Sequence, residues 1–357
     1  MFFRNYTKIK KRFQFYLSKF LNNPILVSSI LFIIAISIRY TALLTPNQML
    51  IDEAYYVPAS ISIIENGTDP NYVHPPFGKY MIAFSILMFG DNSTGWRFFP
   101  VILGSLSASI LYLLGRRCYG TYVGIISTLF LIIDPMTYTM SRLAMLDMFL
   151  MFFTIMGSLM LIEEKYSLSA IAFSLACGIK FIGILPIMAA IIFLIYRKQS
   201  KQIWKFLTFP FIFMLLIYLP FIIRNSLSAW VENIFFVINW HITLTAEHPS
   251  ISHPYGWLFN LNPFPVANSE NPIIISANPF LYPMVVPFSA YLIYAGYKGK
   301  LNYNQIYPVF WFILTYIPFF LLPRETQYIF YLLPSVPAIL LIVSYGILQV
   351  FLKLLKE

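Results

Sequence analysis

The sequence predicts an all-α polytopic membrane protein, and three observations carry that expectation. Its 357 residues are 59% hydrophobic and only 11% charged, with a mean hydropathy of +0.72, far outside soluble globular usage. Apolar runs long enough to cross a bilayer recur along the chain, separated by short basic clusters of the kind that set topology. Only two cysteines occur, Cys118 and Cys177, so no disulfide framework is indicated. The net charge of +10 falls between apolar spans, where it reads as topology, and no nucleic-acid partner is expected.

Residues 1–357 read as one transmembrane domain. Residues 1–23 form a basic tail (Arg4, Lys8, Lys10, Lys11, Arg12, Lys19), expected to be cytoplasmic and to touch anionic lipid headgroups. With no short apolar h-region and no small-residue cleavage site, Pro24 to Leu44 is an uncleaved first span, with Arg39 near its far end. Residues 45–95 form a first outer loop. Within it, AYYVPASISIIENG has apolar residues at roughly helical spacing and suits an interfacial helix closed by Asn66-Gly67. FGKYMIAFSILMFG is of borderline length and reads as interfacial or re-entrant.

Trp96 to Leu114 is the second span, followed by Tyr122 to Ile133, a break at Asp134-Pro135, and Leu143 to Ile162. Ser167 to Tyr196 is flanked by basic residues at both ends, so it must go out and come back as a hairpin of short spans with Lys180 near the outer tip. Phe206 to Ile223 crosses outward into a long polar loop, residues 224–278. Pro279 to Tyr297, Ile306 to Leu322 and a last span from about Gln327 complete about nine or ten crossings. Both termini are then cytoplasmic, in a cell membrane or an endoplasmic-reticulum-like membrane.

On this topology most of the 24 Lys and Arg lie inside. The exceptions are Arg39, Lys79, Arg97, Arg142, Lys180, Arg224 and Arg324, which gather at the outer face with most of the carboxylates and all four histidines. Ionisable residues near membrane depth are costly, so such a gathering reads as a site. Its centre is the polar island LIDEAYYVPASISIIENGTDPNYVHPPFGKY, Leu50 to Tyr80, which holds Asp52, Glu53, His74 and Lys79, with Pro75 and Pro76 fixing the backbone after His74.

These residue types suit transfer of a group from a lipid phosphate to a hydroxyl. A carboxylate, Asp52 or Glu53, removes the hydroxyl proton, and cations drawn from Arg39, Arg97, Arg142, Lys180 and Arg324 neutralise the departing phosphate. No HExxH, Walker loop or GxGxxG occurs, so no metal ligands are assigned and no soluble nucleotide cofactor is expected. A divalent cation on the carboxylate pair stays open. His248 and His253 read as loop residues. Trp230, Trp240 and Trp257 read as interface aromatics. A transporter is the rival from another class, disfavoured because the charges crowd one face and the two halves show no repeat.

The arrangement resembles the dolichyl-phosphate-mannose protein O-mannosyltransferases among the GT-C membrane glycosyltransferases. The matching pieces run in order across most of the chain: Arg39, IDEAYY, HPPFGK from His74 to Lys79, GWRFFP with Arg97, and IDPMTYTMSRLAMLD with Arg142 and Asp147. GIKFIG around Lys180, HPYGWLFNLNPF from His253, and PRETQYIFYLLPSVP with Arg324 follow. A lone Asp-Glu is common to many such enzymes, including aminoarabinose transferases, whereas HPPFGK followed by SRLAMLD is narrower.

The resemblance implies a GT-C fold in a short form, without the soluble β-trefoil domain that eukaryotic members insert. It implies transfer, with inversion, of a mannosyl or related sugar from a dolichyl or other polyprenyl phosphate to Ser/Thr hydroxyls of proteins outside. A lipid or surface glycan is the alternative acceptor. By analogy Asp52 is the base, Glu53 shapes the acceptor site, and Arg39 and Arg97 lie near the donor phosphate, with His74, Lys79, Arg142, Asp147, Lys180 and Arg324 as further substrate-binding candidates. Oligomeric state leaves no trace in the sequence.

Overall fold

The structure is a computed structural model that describes residue 16, residues 18–267 and residues 273–355. Most of the basic N-terminal tail, Glu270 and the last two residues lie outside the described residues.

The described chain is almost entirely helical, as its composition predicts. Helix α1 spans Pro24–Arg39, starting where the Asn23 side chain accepts the Leu26 amide hydrogen bond at 3.1 Å and Pro24 gives up no amide. Helix α2, Glu53–Asn66, ends on Gly67 at φ 64°, as the Asn-Gly signal predicts. Helix α3 is Phe77–Phe89. Helix α4, Ser93–Tyr119, is capped by Asn92, whose carbonyl oxygen accepts from the amides of Thr94 and Gly95. It is the central post, packed against α1, α3, α5 (Thr121–Ile133) and α7 (Leu146–Ile162). The α4–α5 crossing is tight because a Cβ on Gly115 would stand 2.8 Å from the Gly124 Cα, so only glycine lets the two backbones meet.

The predicted break at Asp134-Pro135 is present: Asp134 caps the short α6, Pro135–Met140, by accepting from the Thr137 amide at 2.9 Å, and it also accepts from Tyr282 Oη at 2.7 Å. Helices α8 (Tyr166–Cys177) and α9 (Ile184–Tyr196) form the predicted hairpin with Lys180 in its tip. Helix α10 is Ile203–Ile217.

Two features depart from the expected boundaries. The span expected to run to Ile223 stops at Ile217, restarts as α11 (Leu219–Asn225), then bends by 118° into α12, Leu227–Thr243. The long outer loop therefore opens with a 17-residue helix. Farther on it holds a helical turn, α13 (Pro254–Trp257), and a small antiparallel hairpin, β1 (Phe264–Ala267) with β2 (Ile273–Ile275), in register Phe264 to Ile275. Helices α14 (Val285–Tyr297), α15 (Tyr303–Tyr316) and α16 (Val336–Leu354) close the bundle, the last two entered or left through short 3-10 turns.

Among the described residues four helices are long and apolar enough to cross a membrane: Pro24–Leu43, Ser93–Tyr119, Ser200–Ile217 and Ile329–Leu354, or five if the bent pair counts as one. Several further expected crossings are apolar helices of 10–17 residues. Large apolar side chains such as Phe211, Leu216, Ile223 and Tyr297 stay exposed, an outer surface that suits lipid and not water. The protein is a multi-pass helical membrane protein.

Candidate active site at the carboxylate turn

The two carboxylates of the island face different partners. Ile51, just before them, has φ 47°, a left-handed conformation that a β-branched side chain rarely adopts. Such strain costs about 1–3 kcal/mol and is held only where the surroundings over-determine it. Here the surroundings are the anchors of Glu53: Arg97 Nε at 2.8 Å, Arg97 Nη2 at 2.7 Å, and the amides of Leu50 and Ala144 at 2.9 and 2.7 Å. Glu53 is fully buried. Asp52 is half-buried and accepts from Tyr56 Oη at 3.2 Å, one helical turn on.

Asp52 lies within the fields of Lys180, Asp147 and His248. Burial pushes its carboxyl above the usual carboxylate range, an effect that the nearby Lys180 ammonium and the Tyr56 hydrogen bond only partly offset. Asp147, in the first turn of α7, accepts from Lys180 Nζ at 2.7 Å and keeps a second oxygen, Oδ1, buried without a partner. Lys180 reaches it because Gly183 lets the hairpin tip fold back: a Cβ there would meet the Cys177 nitrogen at 2.5 Å. The tip is tied to the HPPFGK segment by the Phe77 amide, which donates to the Gly178 carbonyl at 3.1 Å.

Lys180 opens into a groove of about 310 Å³. One end is polar: His74, Lys180, His241, Arg324 and Tyr331. The wall is apolar, with Ile184, Leu185, Ile242, Phe319 and Leu322. Arg324 is buried, and its donors go to Thr326 O (2.6 Å), His241 Nδ1 (2.9 Å) and Tyr331 Oη (2.9 Å), with its guanidinium 5.6 Å from the Trp240 ring centroid. Among the described residues no carboxylate lies within ion-pair distance of it. His241 Nε2 donates to Val73 O at 2.8 Å, which fixes the tautomer that lets Nδ1 accept from Arg324. The His74 ring stacks on His241 at 5.0 Å, and burial with surrounding positive charge holds it well below the ordinary imidazole pKa.

Of the residues singled out from the sequence, then, His74, Lys180 and Arg324 line the groove, Asp147 bonds Lys180, and Asp52 lies in the Lys180 field. Glu53, anchored on Arg97 and the Ala144 amide, and four cations do not reach the groove. Arg39 is buried against Ser141 Oγ (2.8 Å) and the carbonyls of Ala35 and Ile132. Lys79 is buried on Asp69, Asn71 O and His74 O. Arg97 divides its donors between Glu53 and the carbonyls of Pro46 and Gln48. Arg142 lines a separate cavity. Arg39, Lys79 and Arg97 are held by partners that composition cannot reveal.

Tyr56, His241, Tyr331 and Gln327 are groove or carboxylate neighbours that the sequence reading missed. Tyr56 and Tyr331 lay inside quoted motifs; His241 carried no signal because its partners, Val73 and Arg324, are remote in sequence. Of the tryptophans expected at the interface, Trp257 is instead fully buried and donates to Ser252 Oγ at 3.0 Å, and half-buried Trp240 faces Arg324. His248 stacks on Phe264 beside Asp52. Among the described residues no three His, Cys, Asp or Glu side chains gather to hold a metal ion.

Residues 73–225 match the family model described as dolichyl-phosphate-mannose-protein mannosyltransferase. The polyprenol-phosphate-mannose–protein mannosyltransferase of Mycolicibacterium smegmatis is 33% identical over 123 residues, covering 32% of this chain and 24% of the relative. That of Corynebacterium glutamicum is 31% identical over 152 residues, 38% of this chain and 29% of its own length. Each match thus spans less than a third of these relatives.

Among solved structures, the Saccharomyces cerevisiae protein O-mannosyltransferase Pmt1-Pmt2 complex bound to the sugar donor superposes with a TM-score of 0.77 over 90% of this chain and 84% of that one, at 14% identity. ArnT from Cupriavidus metallidurans gives 0.62 over 88% and 58%, at 16% identity. At such identities the likeness is one of fold, that of the GT-C membrane glycosyltransferases.

Proposed function

We propose, from the premise that this chain belongs to the dolichyl-phosphate-mannose-protein mannosyltransferase family, that it transfers a mannosyl or related hexosyl residue from a polyprenyl-phosphate donor to Ser/Thr hydroxyls of proteins at the outer face of the membrane. One observation carries the reading: an apolar groove ends in a buried guanidinium that has no carboxylate partner among the described residues, and its Lys180 lies in the field of Asp52. A polyprenyl tail suits the wall of Ile184, Leu185 and Phe319, and a phosphate suits Arg324, whose charge it would neutralise.

The chemistry then follows. Asp52 takes the proton of the acceptor hydroxyl, the oxygen bonds to the anomeric carbon, and the bond from that carbon to the phosphate oxygen breaks on the opposite face, giving inversion. Arg324 and Lys180 stabilise the negative charge that grows on the phosphate. Asp147 holds Lys180 in place and keeps Oδ1 free to accept a sugar hydroxyl. Glu53 and Arg97 brace the turn from behind and touch no reacting atom.

The test is transfer from radiolabelled dolichyl-phosphate-mannose to a Ser/Thr-rich peptide by solubilised wild type and Asp52→Asn, with and without chelator. Transfer by wild type only is expected, and the chelator lanes report any metal requirement. No transfer by folded wild type to peptide, but transfer to a lipid or glycan, would replace the acceptor in this reading.

A further inference from the structure

A second cavity, of about 320 Å³, lies behind the wall that bears the carboxylates. The wall is two short segments. In one, Leu50 lines the second cavity while Asp52, two residues on, meets Tyr56 and the field of Lys180 on the groove side. In the other, Arg142 and Leu143 line the second cavity, the Ala144 amide bonds Glu53, and Asp147 holds Lys180 of the groove. No residue lines both cavities.

Arg142 is the charged group of this second cavity. Its Nη1 donates to Tyr138 Oη at 2.9 Å, and the guanidinium lies 4.9 Å from that ring's centroid. Its Nε is buried with no hydrogen-bond partner. Among the described residues no carboxylate lies within ion-pair distance, whereas Lys79, Arg97 and Lys180 each have one. A buried unsatisfied donor calls for an explanation, and an anion in the cavity would supply the missing partner. The lining is mixed: Thr45, Tyr138 and Thr139 supply hydroxyls beside Arg142, and Leu50, Leu143 and Ile274 supply apolar wall.

We propose that this cavity is an anion subsite for the acceptor polypeptide, where Arg142 receives the carboxylate of an Asp or Glu a few residues from the hydroxyl to be glycosylated. The proposal rests on the protein-acceptor reading above. Inversion requires the hydroxyl to approach opposite to the departing phosphate, and the second cavity lies across the carboxylate-bearing segments from the groove. Extended backbone advances about 3.4 Å per residue, so a neighbouring carboxylate reaches Arg142 while the hydroxyl sits at Asp52.

The test uses the full chain in detergent and labelled peptides with one Thr, in which a single Glu is walked along both flanks against Gln controls. Binding is read by fluorescence anisotropy and transfer by radiolabel, for wild type, Arg142→Gln and the charge-retaining Arg142→Lys. One Glu position is expected to bind wild type roughly tenfold tighter than its Gln control. That advantage disappears in Arg142→Gln and returns in part in Arg142→Lys, while binding of polyprenyl phosphate stays unchanged in all three.

An equal Glu advantage in Arg142→Gln, or none at any position in wild type, overturns the proposal. So does displacement of the peptide by anionic lipid vesicles, or weaker polyprenyl-phosphate binding in Arg142→Gln. Arg142-dependent peptide binding with no sugar transfer would instead overturn the activity reading and leave the subsite standing.

Discussion

Glu53 and Arg97 form a two-pronged ion pair with no exposure to solvent, Nε to Oε1 at 2.8 Å and Nη2 to Oε2 at 2.7 Å. The pair fixes the turn on which Asp52 stands, because the same carboxylate also receives the Leu50 and Ala144 amides. Removing one partner strands a buried charge. Arg97→Ala is therefore expected to cost about 3–5 kcal/mol of stability, read as a large loss of melting temperature or of folded yield. A variant that folds like wild type and loses only catalysis would refute the bracing role.

Asp52→Asn should behave in the opposite way. The amide keeps an oxygen for Tyr56, so the fold should persist, while loss of the general base lowers kcat by about 10²–10⁴-fold. Polyprenyl-phosphate binding, measured by tryptophan quenching, should survive. Near-normal turnover in this variant would remove Asp52 from the mechanism.

The pH profile follows from the raised carboxyl of Asp52. As base it works ionised, so kcat/KM rises with pH through its pKa, and burial sets that rise above the ordinary carboxylate range. The Tyr56 hydrogen bond favours the ionised form. Tyr56→Phe should therefore move the acid limb to still higher pH; a limb that stays in place or moves lower would contradict the assignment.

Arg324→Gln removes the unpaired guanidinium of the groove. Donor KM should rise roughly ten- to a hundredfold, with acceptor KM little changed. Kinetics with the donor and peptide varied separately separate the two effects, and equal changes in both would argue against a donor-phosphate role.

Gly183→Ala tests the hairpin tip without replacing a residue that lines the groove. Its Cβ would meet the Cys177 nitrogen at 2.5 Å and the Ala176 carbonyl oxygen at 2.7 Å, all backbone, so the tip must shift and Lys180 with it. Weaker donor binding in a protein of near-normal yield is expected, and unchanged binding would show that Lys180 tolerates the displacement.

Much of this was legible in the sequence, because it rests on local signals. Asn66-Gly67 closed α2, Asp134-Pro135 broke α5 from α6, and basic clusters on both flanks of 167–196 required a hairpin with Lys180 at its tip. The 17-residue helix α12 escaped, since the chain bends by 118° between Asn225 and Leu227 and the segment sits in a stretch read as polar loop.

Within the site, the sequence by itself determined which residue types would collect: isolated charges are too costly in an apolar chain to be there by accident. Only the tertiary structure decided their duties. Arg39, Lys79, Arg97, Arg142, Lys180 and Arg324 are six similar cations along the sequence, and pairing separates them. Lys79, Arg97 and Lys180 found a carboxylate and Arg39 a set of oxygens, whereas Arg142 and Arg324 have no carboxylate partner among the described residues and lie beside a cavity. That outcome depends on contacts between residues tens to hundreds of positions apart, set by how the helices pack, and no local pattern encodes it.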